Sequence, residues 1–294
     1  MISDQGSKHA PHVSVIIPAL NVEATIGAQL TALSTQEYEG EWEVIVANNG
    51  CSDATKSVVQ SFADRLPKLE WVDAASRRGI NHARNMGARA ASGEILLFCD
   101  GDDIVGEGWI TAMVTALGSA DAVGGSLDFS LLNQGRGGGL EVPNSLTQPE
   151  FLPSPIGANC GVRREAWAEV DGFDEDLNRG ACDEMDFFWR VQLKGRRLVV
   201  AEDAVIHYQL RDSMRAVAKK VYRNKRERAR LHKRFRSEGH TRRALTVALK
   251  NVLWVIGSSP RALTNSDFRR RWLLNASRLA GRFAGSFRYR TLYL

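Results

Sequence analysis

Residues 93–109 read GEILLFCDGDDIVGEGW, and the order of residues within that stretch decides the fold. An apolar run, Ile95-Leu96-Leu97-Phe98, follows a glycine turn and stops at Asp100-Gly101-Asp102-Asp103. A continuous apolar run of this length reads as a strand buried on both faces, the kind that helices cover in a parallel sheet. Three carboxylates within four residues repel one another. A solvated turn can hold them, and so can a divalent cation.

The same signature recurs upstream. VSVII (13–17) and WEVIVA (42–47) are apolar runs, and LEWVDA (69–74) is a third strand. Between them lie segments with helical spacing: 24–36, with Ile26, Leu30 and Leu33 on one face; 54–65, capped by Asp53; and the alanine-rich 80–92, with Met86 and Ala90 expected inward. Downstream, 108–117 reads as a helix and 121–129 as a strand. Strand and helix alternate over short connections, which predicts a mainly parallel sheet with helices on both faces. Residues 133–155 are rich in Gly and Pro and read as a long loop. After it come a short helix near 164–169, the acidic segment GACDEMDFFWRVQL (180–193) and a strand-like LVVAEDAVIHY (198–208). From residue 211 the pattern is helical and basic, with helices expected over 213–236, 242–256 and 266–285.

Charge divides the chain. Residues 211–294 hold 23 Lys and Arg against 4 Asp and Glu, leaving 16 basic and 30 acidic side chains in residues 1–210. An acidic body thus precedes a basic extension, which favours an anionic partner. The four cysteines (Cys51, Cys99, Cys160 and Cys182) form no C-x-x-C pair, so neither a zinc site nor a disulfide framework is indicated, and a reducing compartment fits best. Residues 1–12 are polar, lack the apolar stretch of a signal peptide and are expected to be disordered. The run Val252–Ile256 is too short to span a bilayer. A cytoplasmic protein is expected, with attachment to the inner face of the plasma membrane as a peripheral option.

Two nucleotide-binding motifs are missing. No G-x-G-x-x-G follows the first strand and no G-x-x-x-x-G-K-[ST] occurs, which disfavours dinucleotide oxidoreductases and P-loop NTPases. In an open α/β sheet, ligands bind beyond the carboxyl ends of the strands. The informative strand ends are Pro18-Ala19-Leu20-Asn21, Asn48-Asn49-Gly50 and Asp100 to Asp103.

VSVIIPALN (13–21), WEVIVANNGCSDAT (42–55), GINHARNMGARAASGEILLFCDGDD (79–103), GANCGVRREAW (157–167) and GFDEDLNRGACDEMDFFWR (172–190) resemble, in order and spacing, the family 2 glycosyltransferases of GT-A fold. The resemblance covers residues 13–210. It implies a catalytic domain over 13–210, with a nucleotide-sugar-binding half (13–128) and an acceptor-side half (129–210), followed by the helical basic region 211–294. It also implies a nucleotide-sugar donor (a UDP-, dTDP- or GDP-sugar), Mn²⁺ or Mg²⁺, and inverting transfer to a saccharide or lipid-linked acceptor.

Carried onto this sequence, the family's D-x-D motif falls on Asp100-Gly101-Asp102, with Asp100 towards the donor and Asp102 on the cation. The donor pocket takes Pro18, Ala19 and Asn21, together with Asn48-Asn49, where the family more often has an Asp. An amide donates as well as accepts, so uracil preference is weakened. Turn chemistry is the plain alternative for this pair. Arg84, in RNMGARAA (84–91), is expected near the diphosphate, with Arg77 and Arg78 in the preceding loop. The general base is expected in Asp183-Glu184, reversed from the family's Glu-Asp order, with Glu184 favoured by alignment and Asp183 by chemistry. Electrostatic support of a helix N-terminus is the plain alternative. Asp186 and Trp189 are expected on the acceptor side, Trp189 stacking on a sugar. His207 is a further expected cation ligand, though a lone histidine is often structural. The acceptor is expected to enter between the 133–155 loop and the segment after His207.

In 266–285, Phe268, Trp272, Leu279 and Phe283 recur at helical spacing among Arg269, Arg270, Arg271, Arg278 and Arg282. Such a helix suits an anionic membrane interface or packing on the catalytic domain. No nucleic-acid module is recognisable. A catalytically inactive glycosyltransferase-like binding protein is one rival reading. A nucleotidyltransferase is the other, although PALNVEATIG (18–27) lacks the lysine-containing phosphate loop that class needs.

Overall fold

The computed structural model describes residues 10–133, 146, 151–177, 181–210, 213–241 and 245–294. Most of the N-terminal segment expected to be disordered, and most of the 133–155 loop proposed for acceptor entry, lie outside the described residues.

The chain divides into two compact units, one containing the described residues up to Leu210 apart from 151–152, and the other those two residues with 213–294. In the first, β1 (Val13–Ala19), α1 (Ile26–Ser34), β2 (Trp42–Asn48), α2 (Thr55–Gln60), β3 (Leu69–Asp73), α3 (Ile80–Ala90) and β4 (Ile95–Cys99) alternate as the sequence predicts. Next come β5 (Ile104–Val105), α4 (Trp109–Leu117), β6 (Ala122–Asp128), β7 (Asn159–Arg163), α5 (Arg164–Glu169), α6 (Asp183–Leu193) and β8 (Leu198–His207). The strands form one sheet in the order β3-β2-β1-β4-β7-β6-β8-β5.

The first four strands of that order are mutually parallel. From β1 the chain moves outward through β2 and β3, then returns to the other side of β1 as β4. Strand order therefore reverses between β1 and β4, the place where open α/β sheets bind ligands. The β1–β4 register ends at Ile16↔Phe98, so Pro18 and Asp100 follow two residues later on neighbouring strands.

Sidedness follows from the two-residue period of the strands. Val13, Val15 and Ile17 meet Ile26, Leu30 and Leu33 of α1 and Trp109, Ile110 and Met113 of α4. Ile16, Leu96 and Phe98 face the other way, onto Ala88, Ala166, Trp167, Phe187 and Phe188. Each large apolar side chain so buried contributes roughly 1.5–3 kcal/mol.

Beyond β4 the sheet becomes mixed. β7 lies antiparallel to β4 and β6, and β8 is parallel to β6. Strand β7 reads NCGVR and carries no apolar run. Gly161 explains why it fits. A Cβ there would sit 2.5 Å from Leu97 Cδ2 and 3.0 Å from Val123 Cγ1, so only a bare backbone passes between the bulky residues of its neighbours. Asn159, at the start of β7, is fully buried with its amide satisfied. Its Nδ2 donates to the Ser126 and Ala204 carbonyls, and its Oδ1 accepts from Trp109 Nε1 at 2.8 Å.

Helix α3 buries Ala83 and Ala88, but much of its inner side is polar. Ala90 is exposed, while Asn81, His82, Arg84 and Asn85 are buried. The reason is that these polar groups find specific partners, described below.

The second unit is helical: α7 (Met214–Phe235), α8 (Leu245–Gly257), α9 (Ser259–Thr264) and α10 (Ser266–Tyr289). Gly281 and Gly285 of α10 lie against the carbonyls of Tyr222 and Arg226, so α7 and α10 run in the same direction with their backbones in close approach. A Cβ at either glycine would collide with those carbonyls. No helix among the described residues is long and apolar enough to cross a membrane.

Candidate active site

Helix α1 fixes the acidic turn after β4. Gln29, fully buried, donates from Nε2 to the Asp100 carbonyl at 3.2 Å and accepts the Val105 N–H at 2.9 Å. Thr25 Oγ1 donates to the Gly101 carbonyl at 2.9 Å. The turn is thereby held at both ends. Asp103 is only 1% exposed and accepts the backbone N–H of Gln209 at 2.7 Å, tying the turn to the chain beyond β8.

Asp100, Asp102 and Asp103 each bring a carboxylate oxygen within 4.8 Å of the other two. An all-oxygen anionic set suits a hard cation such as Mg²⁺ or Mn²⁺ and would offset the repulsion among the three acids. Its donor set therefore fits the cation the sequence implies. His207 stands beside this group without belonging to it. It pairs with Ile104 across β5 and β8, and its Nδ1 lies 2.7 Å from Asp128 Oδ2. The Ser130 backbone N–H, with help from that histidine, outweighs partial burial and holds the Asp128 carboxyl down at about 2.

Helix α3 grips the chain that leads to α6. Asn81 Nδ2 donates to the carbonyls of Asp174 and Leu177, and Asn85 Nδ2 to the Phe173 carbonyl and Glu175 Oε1. His82 Nδ1 is 2.8 Å from Glu175 Oε2, and its Nε2 is 3.0 Å from Ser76 Oγ. Arg84 lies on the same face, 2% exposed. It donates to Asp183 Oδ2 at 2.9 Å, to Asp100 Oδ1 at 3.3 Å and to the Gly157 carbonyl at 3.0 Å. Burial works against the guanidinium's charge, but the carboxylates of Asp100 and Asp183 outweigh it and raise its pKa.

Helix α6 starts from Cys182, whose backbone is left-handed at φ 62°. Of the acids in its first turn, Asp183 is buried on Arg84 and Glu184 is half-buried. Their charge is favoured by the helix N-terminus. The two residues expected on the acceptor side face inward instead. Asp186 is fully buried and accepts from Arg190 Nε at 2.8 Å, and Trp189 is 1% exposed, with no ring face open to a sugar. Helix α6 is buried on nearly every side: Phe187, Phe188 and Val191 join the core on one face, and Asp186 and Trp189 are buried on the opposite one.

At the ends of β1 and β2, Pro18 is half-buried, Ala19 is buried and Asn21 is exposed, left-handed at φ 53°. Asn21 Oδ1 accepts the Ser52 N–H at 2.8 Å. Asn49 is occupied structurally: its Nδ2 donates to the Ala74 and Arg77 carbonyls, and its Oδ1 accepts the Gly79 N–H at 2.7 Å. Asn48 Oδ1 accepts the N–H groups of Gly50 and Cys51, closing the turn, while its Nδ2 makes only a 3.5 Å contact with Asp73. Arg77 reaches Asp176 at 2.7 Å, and Arg78 lies over Gly50.

A carboxylate cluster thus stands at the switch point of a parallel half-sheet, where open α/β sheets bind ligands, and one arginine joins it to an acidic helix start. The family model described as Glycosyl transferase family 2 matches residues 14–169, and the chain belongs to that family. It is 31% identical over 206 residues to the glycosyltransferase AglE of Haloferax volcanii, covering 66% of this chain and 66% of that protein. It is 27% identical over 174 residues to the GalNAc(5)-diNAcBac-PP-undecaprenol beta-1,3-glucosyltransferase of Campylobacter jejuni, covering 57% of this chain and 56% of that one. These matches thus span between half and two thirds of the relatives' own lengths. Among solved structures, the mannosyltransferase PcManGT of Pyrobaculum calidifontis, in complex with GDP-Man and Mn²⁺, superposes with a TM-score of 0.68 at 18% identity, covering 96% of this chain and 88% of that one. That likeness establishes the GT-A-type fold.

Proposed function

We propose that this family 2 glycosyltransferase is a cation-dependent, inverting enzyme that moves a sugar from a nucleoside-diphosphate donor to a hydroxyl on a saccharide or lipid-linked acceptor of a cell-surface glycan or glycolipid. One observation carries the reading. Arg84 holds Asp100, at the donor end of β4, and Asp183, at the start of α6, on a single guanidinium. The phosphate-side and acceptor-side groups therefore belong to one electrostatic unit.

Within this reading Asp102 and Asp100 would hold Mn²⁺ or Mg²⁺, with Asp103 as an added ligand. The cation supplies a counter-charge for the leaving diphosphate. The roles of the two α6 acids separate by burial. Asp183 is committed to Arg84, so Glu184 is the base. It takes the proton from the acceptor hydroxyl as that oxygen bonds to the anomeric carbon, while the bond from that carbon to the phosphate oxygen breaks and the nucleoside diphosphate departs. A positioned carboxylate contributes on the order of 10²–10⁴-fold to such a step. Asn49 is spent on the loop, which leaves Asn48 Nδ2 as the amide donor towards a nucleobase. His207 is poised by Asp128 beside the cation group. GDP-mannose in the Pyrobaculum enzyme and the undecaprenol-linked acceptor in the name of the Campylobacter enzyme support the donor class and a lipid-linked acceptor. A lipid-linked acceptor would place the enzyme at a membrane surface, met by the basic unit 211–294.

The test is thermal stability in the presence of UDP, dTDP and GDP, each with Mn²⁺ and with EDTA, followed by a nucleotide-sugar screen. At least one nucleotide should raise the melting temperature with Mn²⁺, and EDTA should abolish the shift. No shift with any nucleotide in either condition would overturn the donor reading. An undiminished shift in EDTA would remove the cation from it.

A further inference from the structure

The second unit carries a line of apolar side chains that its described residues leave at least half exposed. Helix α8 presents Leu245, Leu249, Leu253 and Ile256, which are 50%, 59%, 60% and 66% exposed. At 3.6 residues per turn these four fall within an arc of about 80° on one face of the helix. Its contacts to α10 and its one buried residue lie elsewhere on the helix. Trp272 Nε1 of α10 donates to the Val255 carbonyl at 2.9 Å, the rings of Trp254 and Phe268 are 5.8 Å apart, and Ala248 is buried. Isolated exposed leucines are ordinary, but four aligned along one helix mark an interaction surface.

We propose that this ridge of α8 inserts into the headgroup layer of an anionic lipid bilayer, with Lys and Arg of the same unit on the lipid phosphates. The proposal rests on the membrane attachment inferred above and assigns it to α8 rather than to the last helix. Two arguments carry it. The first is charge: residues 245–294 contain nine Lys and Arg and one acidic residue, Asp267. A second copy of the same chain would bring like charge to the contact, whereas anionic lipid brings the opposite one. The second is the role of α10. Its Phe268 and Trp272 are engaged with α8, and Gly281 and Gly285 lie against α7, so much of the last helix serves as a scaffold. An amphipathic helix of this kind lies in the interface plane with its apolar side about 5–10 Å deep.

The experiment is co-sedimentation of the full chain with vesicles of phosphatidylcholine alone and of phosphatidylcholine mixed with phosphatidylglycerol. Wild type should bind the mixed vesicles and bind the neutral ones far less. Leu249→Asp/Leu253→Asp should lose on the order of tenfold or more in partitioning. Leu249→Phe/Leu253→Phe should retain binding. Circular dichroism and the melting temperature should be unchanged in both, because the replaced side chains are already in solvent. If Leu249→Asp/Leu253→Asp binds like wild type while Arg270→Glu/Arg271→Glu does not, membrane attachment stands and the assignment to α8 is overturned. If wild type binds neither vesicle, the attachment falls with it. A concentration-dependent dimer that the aspartate variant dissolves would make a second copy the occupant and also overturn the proposal.

Discussion

Arg84 and Asp183, 99 positions apart in sequence, meet at 2.9 Å in a contact almost closed to water. The same guanidinium lies 3.3 Å from Asp100. Removing one member of a buried pair strands the other's charge, at a cost of about 3–5 kcal/mol. Arg84→Ala should therefore destabilise the fold by that amount in denaturant unfolding. In the double variant with Asp183→Asn, much of that loss should be recovered, because the fully buried Asp183 charge is gone and only the part-exposed Asp100 is left without its partner. Strict additivity of the two changes would mean that the pair is not coupled.

Burial also separates the two acids at the start of α6. Glu184→Gln keeps size and shape, and the Glu184 carboxylate acts on Arg84 through its charge, while the hydrogen bonds of that guanidinium go to Asp183, Asp100 and the Gly157 carbonyl. It should lower kcat by about 10²–10⁴ while leaving the melting temperature near wild type. Asp183→Asn should lower the melting temperature along with activity. Wild-type kcat in Glu184→Gln would remove it as the base.

The parallel half of the fold was legible because its strands are apolar runs and its acids stand at a strand end. Asp100 and Asp102 could be read in that way. The role of Asp103 could not, since its partner is the backbone N–H of Gln209, and a main-chain donor leaves no mark in side-chain sequence. Helix α3 misled for a related reason. Ala83 and Ala88 do face inward, but Asn81, Arg84 and Asn85 join them, drawn in by carbonyls and carboxylates of the 173–183 segment, and Ala90 is left outside. Trp189 shows the converse: an aromatic residue beside candidate catalytic acids suggests sugar stacking, yet α6 is buried on both the Phe187–Val191 side and the side that carries Trp189.

Strand β7 was invisible to hydrophobic patterning because its middle residue is Gly161. That position offers a direct test of the mixed sheet. A Cβ there would sit 2.5 Å from Leu97 Cδ2, within a fully buried layer. Gly161→Val should destabilise by about 1–3 kcal/mol through overpacking. Gly161→Val with Leu97→Ala should recover part of that loss. A Gly161→Val variant as stable as wild type would argue against β7 lying between β4 and β6.

The acid limit of stability should be set in part by Glu43, a fully buried carboxylate on β2. Burial raises its pKa, but Lys68, the Ser92 hydroxyl and N–H, and the Ser14 hydroxyl outweigh it and bring it to about 2, from an ordinary 4.5. The folded pKa lies below the unfolded one, so its contribution is complete above about pH 4.5 and is lost as pH falls from there towards 2. At 1.36 kcal/mol per unit, that contribution is about 2–4 kcal/mol. Lys68 is 55% exposed and screened, so most of the effect belongs to the serine contacts. Those contacts join β1, β2 and the turn before β4, since Ser14 Oγ also accepts the Gly93 N–H at 2.8 Å. Glu43→Gln should lower stability at neutral pH and flatten its decline between pH 4.5 and 2, as measured by urea unfolding across that range. An unchanged slope would mean that other carboxylates set the acid limit.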